Sequence, residues 1–206
     1  DLDHLLQLAT ERVVTLLDIQ SASIILLDED RDELVFKVAD DSRVGHEQRL
    51  REFRFPAKQG IAGWVIHEGR SQIVLDVDQD PRFYSKVDDH TGTKTRSIIC
   101  APLRTKDRTI GVLEAINKLQ GVFANEDVRL LEAFANQLAL ALENARLIQE
   151  LRAARERLSE ENRYLREAMA PVVQFNTLVA ESPRMQEVYR LVQRVRGNEV
   201  RLSMSV

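Results

Sequence analysis

Residues 60–103 read GIAGWVIHEGRSQIVLDVDQDPRFYSKVDDHTGTKTRSIICAPL and hold the most suggestive side chains of the chain. Gly60 opens a short apolar stretch at helical spacing. The first backbone N–H groups of a helix have no intrahelical acceptor and lie at the positive end of its dipole. Ile61 and Ala62 would therefore offer a place for an anion, and glycine at 60 and 63 would let that backbone approach it closely. Thr91 and Thr95 bring hydroxyls that both donate and accept, and Tyr84 brings a flat apolar ring with a polar tip. Asp88, being acidic, suits a ribose hydroxyl or the holding of its own loop better than it suits a phosphate. An anionic, aromatic small molecule such as a nucleotide would use the whole set. The bland alternative is that both glycines are ordinary caps and that the threonines solvate a surface loop.

Other chemistry is hard to assemble. There is no G-x-x-x-x-G-K-[ST] phosphate loop and no G-x-S-x-G nucleophile elbow. Four histidines (His4, His46, His67 and His90) and the single Cys100 make no zinc-type spacing, so no metal and no cofactor are expected. No acid–base pair stands out among the carboxylates, and catalysis by this chain is not expected. With 29 basic and 33 acidic residues the net charge is −4, which argues against direct nucleic-acid binding. One cysteine excludes an internal disulfide and suits a reducing cytoplasm. No apolar run reaches membrane-spanning length, and DLDHLLQLATERVV does not read as a signal peptide. The chain lacks an initiating Met and reads as a piece of a longer protein.

The elements that must position these residues follow from periodicity. Leu5, Leu8, Ala9, Val13, Leu16 and Leu17 mark an amphipathic helix at the start. SASIILLDED and DELVFKVADD read as a hairpin, and EFRFP as a short strand stopped by Pro56. A helix from Gly60 closes at Gly69, and SQIVLDV is the next strand. After the polar loop, RSIICAPL and TIGVLEAIN form a second hairpin. From Asn125, a credible N-cap, the pattern is helical for roughly 45 residues. Hairpin-joined strands with helices between them imply an α+β domain built on an antiparallel sheet.

The long helix changes character midway. Leu131, Phe134, Leu138, Ala141, Ala145 and Ile148 suit packing on a domain, whereas Leu151, Leu158, Leu165 and Val172 recur every seven residues. Arg155, Asn162 and Met169 occupy the complementary positions. Leucine at one core position with a buried Asn at the other predicts a parallel two-stranded coiled coil, and hence a homodimer with Leu151, Leu158, Asn162 and Leu165 at its interface. Pro171 is expected to end or kink the helix. Beyond it, Ser182 before Pro183 caps a further helix carrying Met185, Val188, Leu191 and Val192 on one face.

SIILLDEDRDELVFKVADD, the 60–103 segment and TIGVLEAINKLQGVFANEDVRLLEAF together resemble the GAF domains, specifically the cyclic-nucleotide-binding type of phosphodiesterases and cyanobacterial adenylyl cyclases. The resemblance implies a six-stranded antiparallel sheet covered by helices, with a long signalling helix at its end. It also implies a ligand, cAMP or cGMP. Ser23 and Glu114 would reach the purine edge from the sheet, with Asp40 at a strand end. Ile61 and Ala62 would meet the cyclic phosphate, and Tyr84, Asp88, Thr91 and Thr95 would close over ribose and phosphate. Asn117, Lys118, Phe123 and Asp127 match the family signature, Val128 replacing its final Glu, which implies a structural ion pair Lys118–Asp127. Ala39 stands where some relatives carry an aromatic on the base.

LVAESPRMQEVYRLVQRV is similar to the opening of the AAA+ ATPase domain of bacterial sigma-54 activators, with Ala180 in place of a usual Gly and no Walker motif. The resulting layout is a sensor domain over 1–147, a coiled-coil linker over 148–172, and the start of an ATPase domain over 173–206. The expected role is cyclic-nucleotide sensing in a transcription activator, with sigma-54 RNA polymerase and DNA as partners through further domains. Rival readings are a GAF sensor for 2-oxoglutarate, formate or nitric oxide at iron, and a ligand-free dimerisation module. For iron, Asp76, Asp78, His90 and Cys100 would be the residues to recruit.

Overall fold

The structure, a computed structural model, describes residues 2–41, 53–176, 184, 186–188 and 190–191, without the side chains of 39–41, 91 and 168–176. In chain order the elements are α1 (Leu2–Leu17), β1 (Ile19–Asp28), β2 (Glu33–Asp41), β3 (Arg54–Pro56), α2 (Gly60–Glu68), β4 (Gln72–Val74), a 3-10 turn (Val77–Gln79), α3 (Lys86–Thr91), β5 (Ile98–Arg104), β6 (Thr109–Lys118) and α4 (Asn125–Asn176). The strands form one antiparallel sheet in the order β3-β2-β1-β6-β5-β4. This is the antiparallel α+β fold that the hairpin pattern implies, with the six strands that the resemblance implies. Among the described residues, no helix is long and apolar enough to cross a membrane.

Alternation along the strands gives the sheet two faces, each with its own core. Ala22, Ile24, Ile99, Leu113 and Ala115 face α1 and the first turns of α4, packing with Leu6, Val13, Leu131 and Leu138. Ile25, Phe36, Ile98, Cys100 and Val112 face the other way, under α2, with Ile61, Ala62 and Val65. β5 is buried at six successive positions, so it is covered on both sides.

Several elements differ from the pattern read in the sequence. α1 buries Leu6, Thr10, Val13 and Leu17, whereas Leu5, Leu8 and Leu16 are exposed. The inward face includes a polar residue because Thr10 Oγ1 donates to the Gln7 carbonyl at 2.8 Å, satisfying its hydroxyl within the helix. β4 is only three residues long. Asp76 ends it by turning back to accept from the Asp78 N–H at 3.1 Å and capping the 3-10 turn. The loop after it contains α3, a helix of six residues.

The N-cap of α4 is Ala124 rather than Asn125. The carbonyl of Ala124 accepts the first helical bond, from Val128 N–H at 3.3 Å, and Asp127 Oδ2 accepts from Ala124 N–H at 2.9 Å. A side chain at the third helical position thus satisfies the cap's own donor. α4 also runs through Pro171 to Asn176, giving up one backbone hydrogen bond there instead of ending.

The chain divides into two compact units, 1–149 and 150–206. In the second, Leu151, Leu158, Asn162 and Leu165 are exposed. Arg184, Gln186, Glu187, Val188, Arg190 and Leu191 are helical, while the Ser182 cap, Met185 and Val192 lie outside the described residues.

Candidate functional site

A cavity of about 690 Å³, its open mouth included, lies between the second face of the sheet, the start of α2 and the loop carrying α3. The space left free inside is only about 70 Å³. Its floor is polar: Ser23 of β1 stands directly opposite Glu114 of β6, and Cys100 of β5 stands opposite Glu114 on the other side. Ser21, Ile98 and Ile116 continue the floor, and Phe36 and Phe55 form an apolar wall.

α2 begins at the cavity. Gln59 is extended and provides no side-chain cap, and Gly60 follows with φ +78. The first intrahelical bond runs from Gly63 N–H to the Gln59 carbonyl at 3.2 Å, so the N–H groups of residues 60–62 precede it. Ile61 and Ala62 line the cavity. Gly63 does not line it. A Cβ there would come within 2.5 Å of the Ala57 carbonyl oxygen, so its smallness serves the packing of α2 on the preceding turn.

The lid is α3 and its flanks. Asp88 is bound by its own loop: one carboxylate oxygen accepts from Thr95 N–H and the other from Thr95 Oγ1–H, both at 2.6 Å. Tyr84 stacks on Phe55 with ring centroids 5.6 Å apart, and His90 lies 4.8 Å from the Phe53 ring. The loop entering the lid is clasped by Arg82, which bonds both oxygens of Asp80, at 2.9 and 2.5 Å, and lies 4.6 Å over the Trp64 ring. Its hydrogen bond holds Asp80 below the usual carboxylate range.

The strand leaving the lid is fastened by Asn117, buried at the end of β6 with φ +58. Its Oδ1 accepts from Arg96 N–H at 2.7 Å, and its Nδ2 donates to the Lys94 carbonyl at 2.9 Å and to Gln20 Oε1 at 3.0 Å. The next residue, Lys118, donates to Asp127 Oδ1 at 2.7 Å, joining the end of β6 to the first turn of α4.

Of the nine residues expected at a ligand, seven line this cavity: Ser23, Ile61, Ala62, Tyr84, Asp88, Thr95 and Glu114. Thr91 ends α3, with its side chain outside the described residues. The register sets Ala39, not Asp40, opposite Ser23, and Asp40 opposite Ala22; the Asp40 side chain is likewise outside the described residues. The iron reading gains nothing, since no group of three His, Cys, Asp or Glu among the described residues is placed to hold a metal.

Glu114 carries the largest electrostatic consequence. Burial raises its pKa to about 7, the Asp88 charge adds to the shift, and a hydrogen bond with Cys100 works against it. Burial also pushes the Cys100 thiol up, with Glu114 adding to the effect. Among the described lining residues there is no Lys, Arg or His.

Residues 1–143 match the family described as the GAF domain. The chain belongs to the GAF family. This GAF domain is similar to a probable 3′,5′-cyclic phosphodiesterase, pde-5, of Caenorhabditis elegans, with 32% identity over 69% of this chain and 20% of that protein. It is also similar to the dual 3′,5′-cyclic-AMP and -GMP phosphodiesterase 11A of Takifugu rubripes, with 31% identity over 68% of this chain and 15% of that protein. The chain thus spans a fifth or less of the length of these relatives. Among solved structures, the GAF domain of a phosphoenolpyruvate-protein phosphotransferase from Coxiella burnetii superposes with a TM-score of 0.65 at 18% identity. That superposition covers 73% of this chain and 87% of the other.

Thr93, Phe55, Phe83 and Ser21 also line the GAF cavity and were not picked out in the sequence. Ser21 lies two residues from Ser23, so strand alternation places it on the same face. Phe55 had no comparable signal, because its place depends on how β3 joins the sheet.

Proposed function

We propose that this GAF domain senses a 3′,5′-cyclic nucleotide, cAMP or cGMP, in the cavity beneath α3, and does not itself catalyse a reaction. The supporting observation is polarity at both ends of one cavity. Backbone N–H groups at the start of α2, with the Thr93 hydroxyl, suit a cyclic phosphate, while Thr95 holds Asp88 of the lid in place. Ser23 and Glu114 on the sheet suit a base edge. Phe55 and Tyr84 supply apolar surface between them. Similarity to two 3′,5′-cyclic phosphodiesterases, one of them named for cyclic AMP and GMP, adds weight.

The space free inside is smaller than a nucleotide, so entry requires the lid and Tyr84 to move. The ligand then favours whichever lid arrangement it binds better. β6 offers a route outward, since it carries Glu114 into the cavity and ends at Lys118, bonded to Asp127 of α4. We further propose that α4 pairs with its counterpart in a parallel coiled coil. In this reading the segment LVAESPRMQEVYRLVQRV continues into the ATPase domain of a sigma-54 activator acting on RNA polymerase and DNA.

Calorimetry of the purified chain with cAMP and with cGMP tests the binding. Saturable uptake of one nucleotide per chain is expected. Absence of heat with both, at ligand concentrations up to about 1 mM, where a weak interaction of about −4 kcal/mol still shows, sinks the reading.

A further inference from the structure

Glu114 stands in the middle of the sheet, flanked by Ser23 of β1 and Cys100 of β5. Directly opposed residues of antiparallel strands share a face, so the three form one row under the cavity. Cys100 is fully buried and hydrogen-bonds the Glu114 carboxyl from the neighbouring strand. Among the described residues, the other titratable groups lining the cavity are Asp88 and Tyr84 of the lid; β1 adds no titratable carboxyl or amine, and α2 adds no charge. A carboxyl withdrawn from water and placed near a second carboxylate, with no cation among the described lining residues, holds its proton to higher pH than usual. Both of its protonation states are then accessible near neutrality, in keeping with a value of about 7.

The two states offer different partners to a base. A neutral acid presents one O–H donor and one carbonyl acceptor, whereas a carboxylate only accepts. The Watson–Crick edge of adenine presents an acceptor at N1 and donors at N6, matching the neutral acid. That of guanine presents donors at N1 and N2, matching the carboxylate. We infer that Glu114 selects the purine through its own proton, taking adenine as the neutral acid and guanine as the carboxylate. The domain would then report cAMP at lower pH and cGMP at higher pH. This rests on the cyclic-nucleotide reading above. It deepens that reading by making purine choice a property of conditions as well as of residues.

The test is the ratio of cAMP to cGMP affinity of the intact chain, measured by calorimetry from about pH 6 to about pH 8. Neither base titrates in that range, and any effect of Asp88 on the shared phosphate and ribose cancels in the ratio. The neutral fraction of a group titrating near 7 falls roughly tenfold across the range. Apparent cAMP affinity should therefore fall, and cGMP affinity rise, by up to about tenfold each. Near neutrality, in buffers of different ionisation heat, cAMP binding should take up a proton and cGMP binding should release one. Glu114→Gln keeps one donor and one acceptor at every pH, so it should hold cAMP preference constant. Binding with a pH-independent ratio overturns the inference and leaves cyclic-nucleotide sensing intact. Absence of binding by either nucleotide at every pH overturns both.

Discussion

Thr95 gives both of its donors, the backbone N–H and the side-chain hydroxyl, to the carboxylate of Asp88 across seven residues. Asp88 lies within α3 and Thr95 follows its Gly92 cap, so the pair ties the helix to the segment that leaves it. Thr95→Ala removes one charge-assisted bond and leaves Asp88 with one donor fewer. We expect cyclic-nucleotide binding to weaken by about 1–2 kcal/mol, with the domain still folded. Because the two residues act together, Asp88→Ala combined with Thr95→Ala should cost less than the sum of the single changes. Additive losses in a calorimetric double-mutant cycle would show that each acts on the ligand independently.

Glu114 makes stability depend on pH. Its folded-state value of about 7 lies above the ordinary 4.5, so the native state binds this proton more tightly than the unfolded chain. The stability this provides is complete below the ordinary value and is lost as pH rises through about 7. The melting temperature of the parent should therefore fall between about pH 5 and about pH 8 relative to Glu114→Gln. Parallel melting curves for the two proteins across that range would place the Glu114 carboxyl in water.

The two glycines of α2 should fail for different reasons. Gly63→Ala places a Cβ 2.5 Å from the Ala57 carbonyl oxygen and 2.8 Å from the Lys58 carbonyl carbon, both backbone atoms, so the turn must shift. A loss of about 1–3 kcal/mol is expected. Gly60→Val meets only an ordinary contact, Tyr84 Cβ at 3.4 Å, but must hold φ +78, which costs a branched residue about 1–3 kcal/mol. Urea denaturation measures both. A Gly63→Ala variant as stable as the parent would mean that α2 packs less closely than described.

Leu151, Leu158 and Leu165 are exposed by 70%, 66% and 51%, more than leucine side chains at regular spacing would leave to water without a partner. Truncation after Ile148, or Leu158→Glu, should weaken self-association at least about tenfold, the effect of burying one unpaired charge in a coiled-coil seam. Sedimentation near the dissociation constant reads this directly. An unchanged dimer would place the main contact elsewhere.

Much of the frame was legible from local signals. Period-two alternation in DELVFKVADD, with glycine at both ends of the 60–69 segment, marks a strand and α2 because such signals lie along the chain itself. The short helix α3 was not legible, since KVDDHT carries no apolar face and is held by Asp88, Thr95 and Gly92 instead. The inward face of α1 was misjudged for a related reason. Leucines lie all around that helix, and burial of Thr10 depends on a bond to its own backbone.

The sequence alone determined which residues could recognise a ligand, because side-chain chemistry and local spacing are properties of the chain. Ile61, Ala62, Tyr84, Asp88 and Thr95 were candidates on those grounds, and Ser23 and Glu114 only through the resemblance to GAF domains. Only the tertiary structure decided how they are engaged. Register placed Glu114 between Ser23, about ninety positions earlier in the chain, and Cys100 of the neighbouring hairpin strand. It is also the tertiary fold that turned Asn117 into the anchor of the lid and raised the Glu114 pKa to about 7. Desolvation and long-range hydrogen bonds depend on which segments meet, and no local stretch of sequence contains that information.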